Sequence, residues 1–172
     1  MKRILILFLL FVLTKANAQN EFAANAFYND FKKIYTDGQT GFSACKGAKR
    51  KTGFEELASE YQAKIMLPLA DSGKVVVPVS GNPYVIYYFE PDKMRLKIDQ
   101  LGLNLRDALV TAFDKPLYTR AETTIINNYP FTNTLYYTEP FENPSATAIF
   151  RQCIYFSNGK YYLSFEMRGR RE

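Results

Sequence analysis

The sequence predicts a single α+β domain: a mostly antiparallel sheet of about six to seven strands with two amphipathic helices, in the order α-βββ-α-ββββ. Three observations predict it. Apolar residues recur at steps of three and four in two separate segments, and strict apolar/polar alternation recurs between and after them. The connections between alternating runs are short and built from Gly, Pro, Asn, Asp and Ser.

The domain is not expected to begin at Met1. Lys2 and Arg3 precede an apolar block from Ile4 to Leu13, and Ala16-Asn17-Ala18 then forms the small-x-small pattern that signal peptidase cuts. Residues 1–18 are therefore expected to be a cleaved signal peptide and residues 19–172 the mature domain. The apolar block is about half the roughly 20 residues a membrane-spanning helix needs, so no transmembrane segment is expected after cleavage. No cysteine stands at the cut to take a lipid. The protein is expected to be exported, to a periplasm or to the extracellular medium. Lys2, Arg3 and Lys15 leave with the signal, so a net charge of +5 falls to +2. That is too small for a nucleic-acid footprint, and no nucleic-acid partner is expected.

In the mature chain Ala23, Phe27, Phe31 and Ile34 form one face of a helix from Asn20 to about Thr36, stopped by Asp37-Gly38. After a polar run, "FEELASE", the residues Tyr61, Ala63, Ile65, Leu67 and Leu69 alternate with more polar neighbours as a strand. Asp71-Ser72-Gly73 reads as the turn into "KVVVPV", and Ser80 to Pro83 as the turn into "YVIYYFE". Together these make a three-stranded meander. A second helix carries Leu101, Leu105, Leu109 and Ala112 on one stripe, with Leu103, Ala108 and Phe113 beside it, and Asp114-Lys115-Pro116 closes it. Four more strands follow in "ETTIIN", "NTLYYTE", "TAIFRQCIYF" and "KYYLSFEM".

The last two are joined by Asn158-Gly159, a pair suited to a two-residue type I′ turn because both of its positions need positive φ. This turn sets a register in which Phe150, Gln152, Ile154 and Phe156 face Met167, Phe165, Leu163 and Tyr161 on the core side. On the other side Tyr155 faces Tyr162, Cys153 faces Ser164 and Arg151 faces Glu166.

The chain contains no histidine, which removes imidazole-based catalysis and thins the options for zinc. The stretch Gly41 to Gly53 gathers Lys46, Lys49, Arg50, Lys51 and Cys45. Its glycine spacing does not match a phosphate-binding loop, and its thiol has no neighbouring base. In an oxidising compartment Cys45 and Cys153 are instead expected to form a disulfide. No metal or cofactor is expected.

Carboxylates are the one catalytic device left. Glu55, Glu56, Glu60, Glu139 and Glu142 are the candidates for a small hydrolase acting on an envelope glycan, the alternative reading. The leading one is a non-catalytic binding protein of the bacterial envelope, engaging a protein or envelope polymer. Phe and Tyr make up 16% of the chain, and Tyr87, Tyr136, Tyr137, Tyr155 and Tyr162 cannot all point inward under strand alternation. They are the candidate binding residues, with Lys49, Arg50 and Lys51 as the candidate contact for an acidic partner.

Overall fold

The computed structural model describes residues 26–113, 115–126, 129–140 and 147–171. The expected signal peptide with its cut before Gln19, and the residues Ala23, Asp114, Asn127 and Glu142, lie outside them. Helix α1 covers residues 26–38. Then come β1 (Lys46–Arg50), β2 (Ala58–Ala63), β3 (Ala70–Pro78) and β4 (Tyr84–Phe89), followed by helix α2 (Arg95–Ala112). The chain ends with β5 (Tyr118–Ile126), β6 (Tyr129–Tyr137), β7 (Phe150–Ser157) and β8 (Lys160–Arg168). All eight strands form one antiparallel sheet in the order β1-β2-β3-β4-β8-β7-β6-β5.

The element order therefore repeats, as a helix followed by a four-stranded meander, twice. The last strands of the two meanders, β4 and β8, join in the middle of the sheet, and the first strands, β1 and β5, are its two edges. Helix α2 carries the chain from the centre of the sheet to the far edge.

Both helices lie on one face of the sheet. Phe27, Phe31 and Ile34 of α1 are buried, and α2 buries Ile98, Gly102, Leu105, Leu109 and Ala112 at steps of four and three. Their meeting point is Phe150 of β7. Its ring lies 5.5 Å from Phe31, 5.4 Å from Phe113 just beyond α2, and 5.9 Å from Phe165 of β8. Aromatic packing at these separations adds directional attraction to the apolar burial.

The last hairpin has the register its turn dictates, from Ser157 opposite Lys160 to Phe150 opposite Met167. Asn158 and Gly159 have φ of 49° and 75°, as a type I′ turn requires.

Three expectations are corrected. The sheet has eight strands, because "KGAKR" of the cationic stretch is β1, an edge strand with no apolar alternation to betray it. Asp71-Ser72-Gly73 is not a turn but part of β3, and the chain reverses instead over residues 64–69. Cys45 and Cys153 are both free. Cys45 is buried in the core on the helix side, while Cys153 alternates with the core residues Gln152 and Ile154 and so faces the other way. The sheet itself separates the sulfurs, and no bond between the opening stretch and the terminal hairpin forms.

Candidate functional site

The face of the sheet opposite the helices is the candidate site. Strand alternation puts Val85, Tyr87 and Phe89 of β4 into the core, which leaves Tyr84, Ile86 and Tyr88 half-buried on the open side. The pairing registers then align the open face in rows across the strands. One row runs Thr124, Phe131, Tyr155, Tyr162, and the next runs Glu122, Asn133, Cys153, Ser164, Tyr88. A third carries Arg120, Leu135, Arg151, Glu166, Ile86 and Lys74, and a fourth Arg168, Tyr84, Val76, Glu60 and Arg50.

In the first row the rings stack as a ladder. Phe131 and Tyr155 are 5.0 Å apart at 10°, and Tyr155 and Tyr162 are 5.1 Å apart at 8°. Both faces of the Tyr155 ring are thus covered by neighbours, and burial raises its phenol pKa above the usual range. Burial also raises those of Tyr84 and Tyr88, so at neutral pH these phenols are uncharged and available as hydrogen-bond donors.

Two rows away Glu166 is only 5% exposed, yet ionic contacts compensate it on both sides. Arg151 Nη2 donates a hydrogen bond to one carboxylate oxygen, and Arg168 Nε donates to the other at 3.2 Å. The two arginine side chains stay about 40% exposed, and the cluster carries one more positive than negative charge. With Asn82 and Tyr84 these three residues line a cavity of about 300 Å³. Beside it Lys74 Nζ donates to Glu60 at 2.9 Å.

Of the expected binding residues, the structure brings together Tyr155 and Tyr162. Tyr87 and Tyr136 are fully buried on the helix side, where Tyr87 donates to the Ile65 carbonyl at 2.9 Å and Tyr136 to Gln152 at 3.3 Å. They are core residues and leave the candidate list. Tyr137 is also buried. Lys49, Arg50 and Lys51 are exposed at the β1 edge, four strands away from the nearest strand of the ladder, with Arg50 on the same open face. Sequence reasoning missed Tyr84, Tyr88, Phe131, Glu166 and Arg168. The run "YVIYYFE" is apolar at both parities and does not say which tyrosines face the helices. Arg151 opposite Glu166 was legible, but as a solvated pair rather than a shielded one.

The thiols are poorly suited to nucleophilic chemistry. Burial, reinforced by the Asp37 carboxylate, pushes the Cys45 thiol up to about 12, and burial also raises Cys153. Among the described residues no group of three or more acidic or cysteine side chains converges on a point where a metal could bind. No described helix is long and apolar enough to cross a membrane. Compared with protein-family models, with curated proteins and with solved structures, the chain gives no match.

Proposed function

We propose that this chain is a non-catalytic binding protein, exported to the envelope or beyond it, that engages a protein partner through the open face of its sheet. The observation that carries this reading is the half-buried ladder Phe131–Tyr155–Tyr162, set beside the cationic Arg151–Glu166–Arg168 cluster on a face that neither helix covers. Aromatic rings and arginine are the side chains most enriched where proteins meet. A protein is favoured over an envelope polymer because a sugar docks by laying its C–H groups on a free ring face, and the central ring of the ladder has none.

Spacing also favours binding over hydrolysis. Glu60 on β2 and Glu166 on β8 are the shielded carboxylates of the open face, and each is committed to a cation. They lie three strands apart, roughly 14 Å at ~4.8 Å per strand, beyond the ~5–9.5 Å over which paired carboxylates cleave glycosides.

The test is affinity capture from envelope extract with the protein and with a Tyr155→Ala/Tyr162→Ala variant. A partner retained by the former and lost by the latter is expected. Recovery of no partner together with turnover of an envelope glycan would overturn the reading.

A further inference from the structure

The two edges of the sheet occupy equivalent places in the repeated architecture, yet they are built in opposite ways. Edge strand β1 has five residues, a register shift between Lys46 and Lys49, and three cations, Lys46, Lys49 and Arg50. Short length, bulging and lysines are the devices by which proteins prevent edge-to-edge pairing. Edge strand β5 has none of them. Its nine residues pair with β6 without a break from Tyr118 opposite Tyr137 to Ile126 opposite Tyr129, and it contains neither proline nor lysine. Every residue of it is exposed, including Ile125 at 73% and Ile126 at 47%. No described strand covers its outer side.

We propose that β5 is a docking edge for a second copy of this chain, paired antiparallel about a two-fold axis at Ala121, so that two sheets become one. Charge selects both the occupant and the register. A two-fold axis perpendicular to the sheet pairs residues that share a face, so the centre falls on a single residue of β5. With Ala121 at the centre, Arg120 stands opposite Glu122 of the second copy, and Glu122 opposite its Arg120, which gives two cross-strand ion pairs. Among the described residues neither Arg120 nor Glu122 has an ion-pair partner within its own chain. The same register sets Thr119 opposite Thr123, Tyr118 opposite Thr124, and Leu117 opposite Ile125, the most exposed apolar side chain of the strand. Moving the axis one residue either way puts Arg120 opposite Arg120 or Glu122 opposite Glu122. Strand-edge contacts bury little area, so the dimer is a reversible one. Its axis keeps both helical layers on one side and joins the two open faces into a single surface carrying two ladders.

Sedimentation velocity over a range from low to several hundred micromolar protein tests this. The protein is expected to pass from monomer to dimer, and more weakly at high salt. Arg120→Glu and Glu122→Arg, both at exposed positions, are each expected to weaken association by about tenfold or more, because each sets two like-charge pairs face to face. Mixing the two variants restores opposite charges at both positions, and heterodimers are expected to form. A protein that is monomeric throughout overturns the proposal. So does a dimer indifferent to both reversals, or a mixture that associates no better than its components.

Discussion

Gly73 of β3 and Tyr87 of β4 face each other across the sheet, and the glycine is there because the tyrosine is. A methyl group at position 73 would lie 2.8 Å from the Tyr87 ring and 3.0 Å from Ala63 Cβ. Glycine within a strand commonly marks such a close approach. Here it lets a whole tyrosine enter the core and lets its hydroxyl reach the Ile65 carbonyl in the loop that follows β2. Gly73→Ala is expected to cost about 1–3 kcal/mol by overpacking. In a double-mutant cycle by urea denaturation, Gly73→Ala combined with Tyr87→Leu should cost less than the sum of the two single changes. Additivity would show that the ring is not what excludes a side chain.

The cysteines should behave differently from each other. Intact mass should show both thiols reduced in the native protein, and a thiol reagent should modify Cys153 before the buried Cys45. Cys45→Ala is expected to cost on the order of 1–2 kcal/mol for a vacated core site, while Cys153→Ser should stay within about 0.5–1 kcal/mol of the parent. Equal losses from the two changes would point back to a crosslink.

Changing Asn158-Gly159 to Ala-Ala removes two residues that tolerate positive φ. Destabilisation of about 1–3 kcal/mol is expected. Amide hydrogen exchange should show it first in β7 and β8, since this turn sets their register.

The buried Glu166 carboxylate and its two half-exposed arginines should respond unequally to truncation. Arg151→Ala with Arg168→Ala strands a buried charge and is expected to cost on the order of 3 kcal/mol or more. Glu166→Gln leaves guanidiniums that water can solvate and should cost less. Thermal melts of the two variants decide it, and the reverse ranking would contradict the shielding described for Glu166.

Alkali should unfold the protein early. Burial pushes Cys45 up from 9.0 to about 12 and Tyr136 up from 10.0 to about 12, and raises Tyr87 as well. Between these values the folded chain holds protons that the unfolded chain has released, so unfolding stability falls as pH rises. Urea midpoints should hold steady up to about pH 8–9 and decline above it. A midpoint unchanged near pH 11 would mean that these groups ionise freely in the folded state.

The sequence by itself determined the features that depend on near neighbours. The steps of three and four at Phe27, Phe31 and Ile34, and at Leu105, Leu109 and Ala112, set two helices with one buried side each. The Asn158-Gly159 turn fixed every pairing in the last hairpin and the opposite faces of Phe150 and Arg151. These are local because a 3.6-residue helical period and a two-residue turn are properties of consecutive backbone angles.

Only the tertiary structure decided which layer covers which face. Edge strand β1 escaped notice because an edge needs no apolar alternation. Gly73 looked like a turn because the tyrosine that requires it is on the neighbouring strand. The assignment of Tyr87 and Tyr136 to the core, and of Tyr84, Tyr88, Phe131, Tyr155 and Tyr162 to the open face, follows from both helices choosing the same side. That choice sums packing over contacts far apart in the chain, as at Phe150, where α1, the end of α2 and β8 converge. The same choice put the whole thickness of the sheet between two cysteines that no property of their own neighbourhoods could have kept apart.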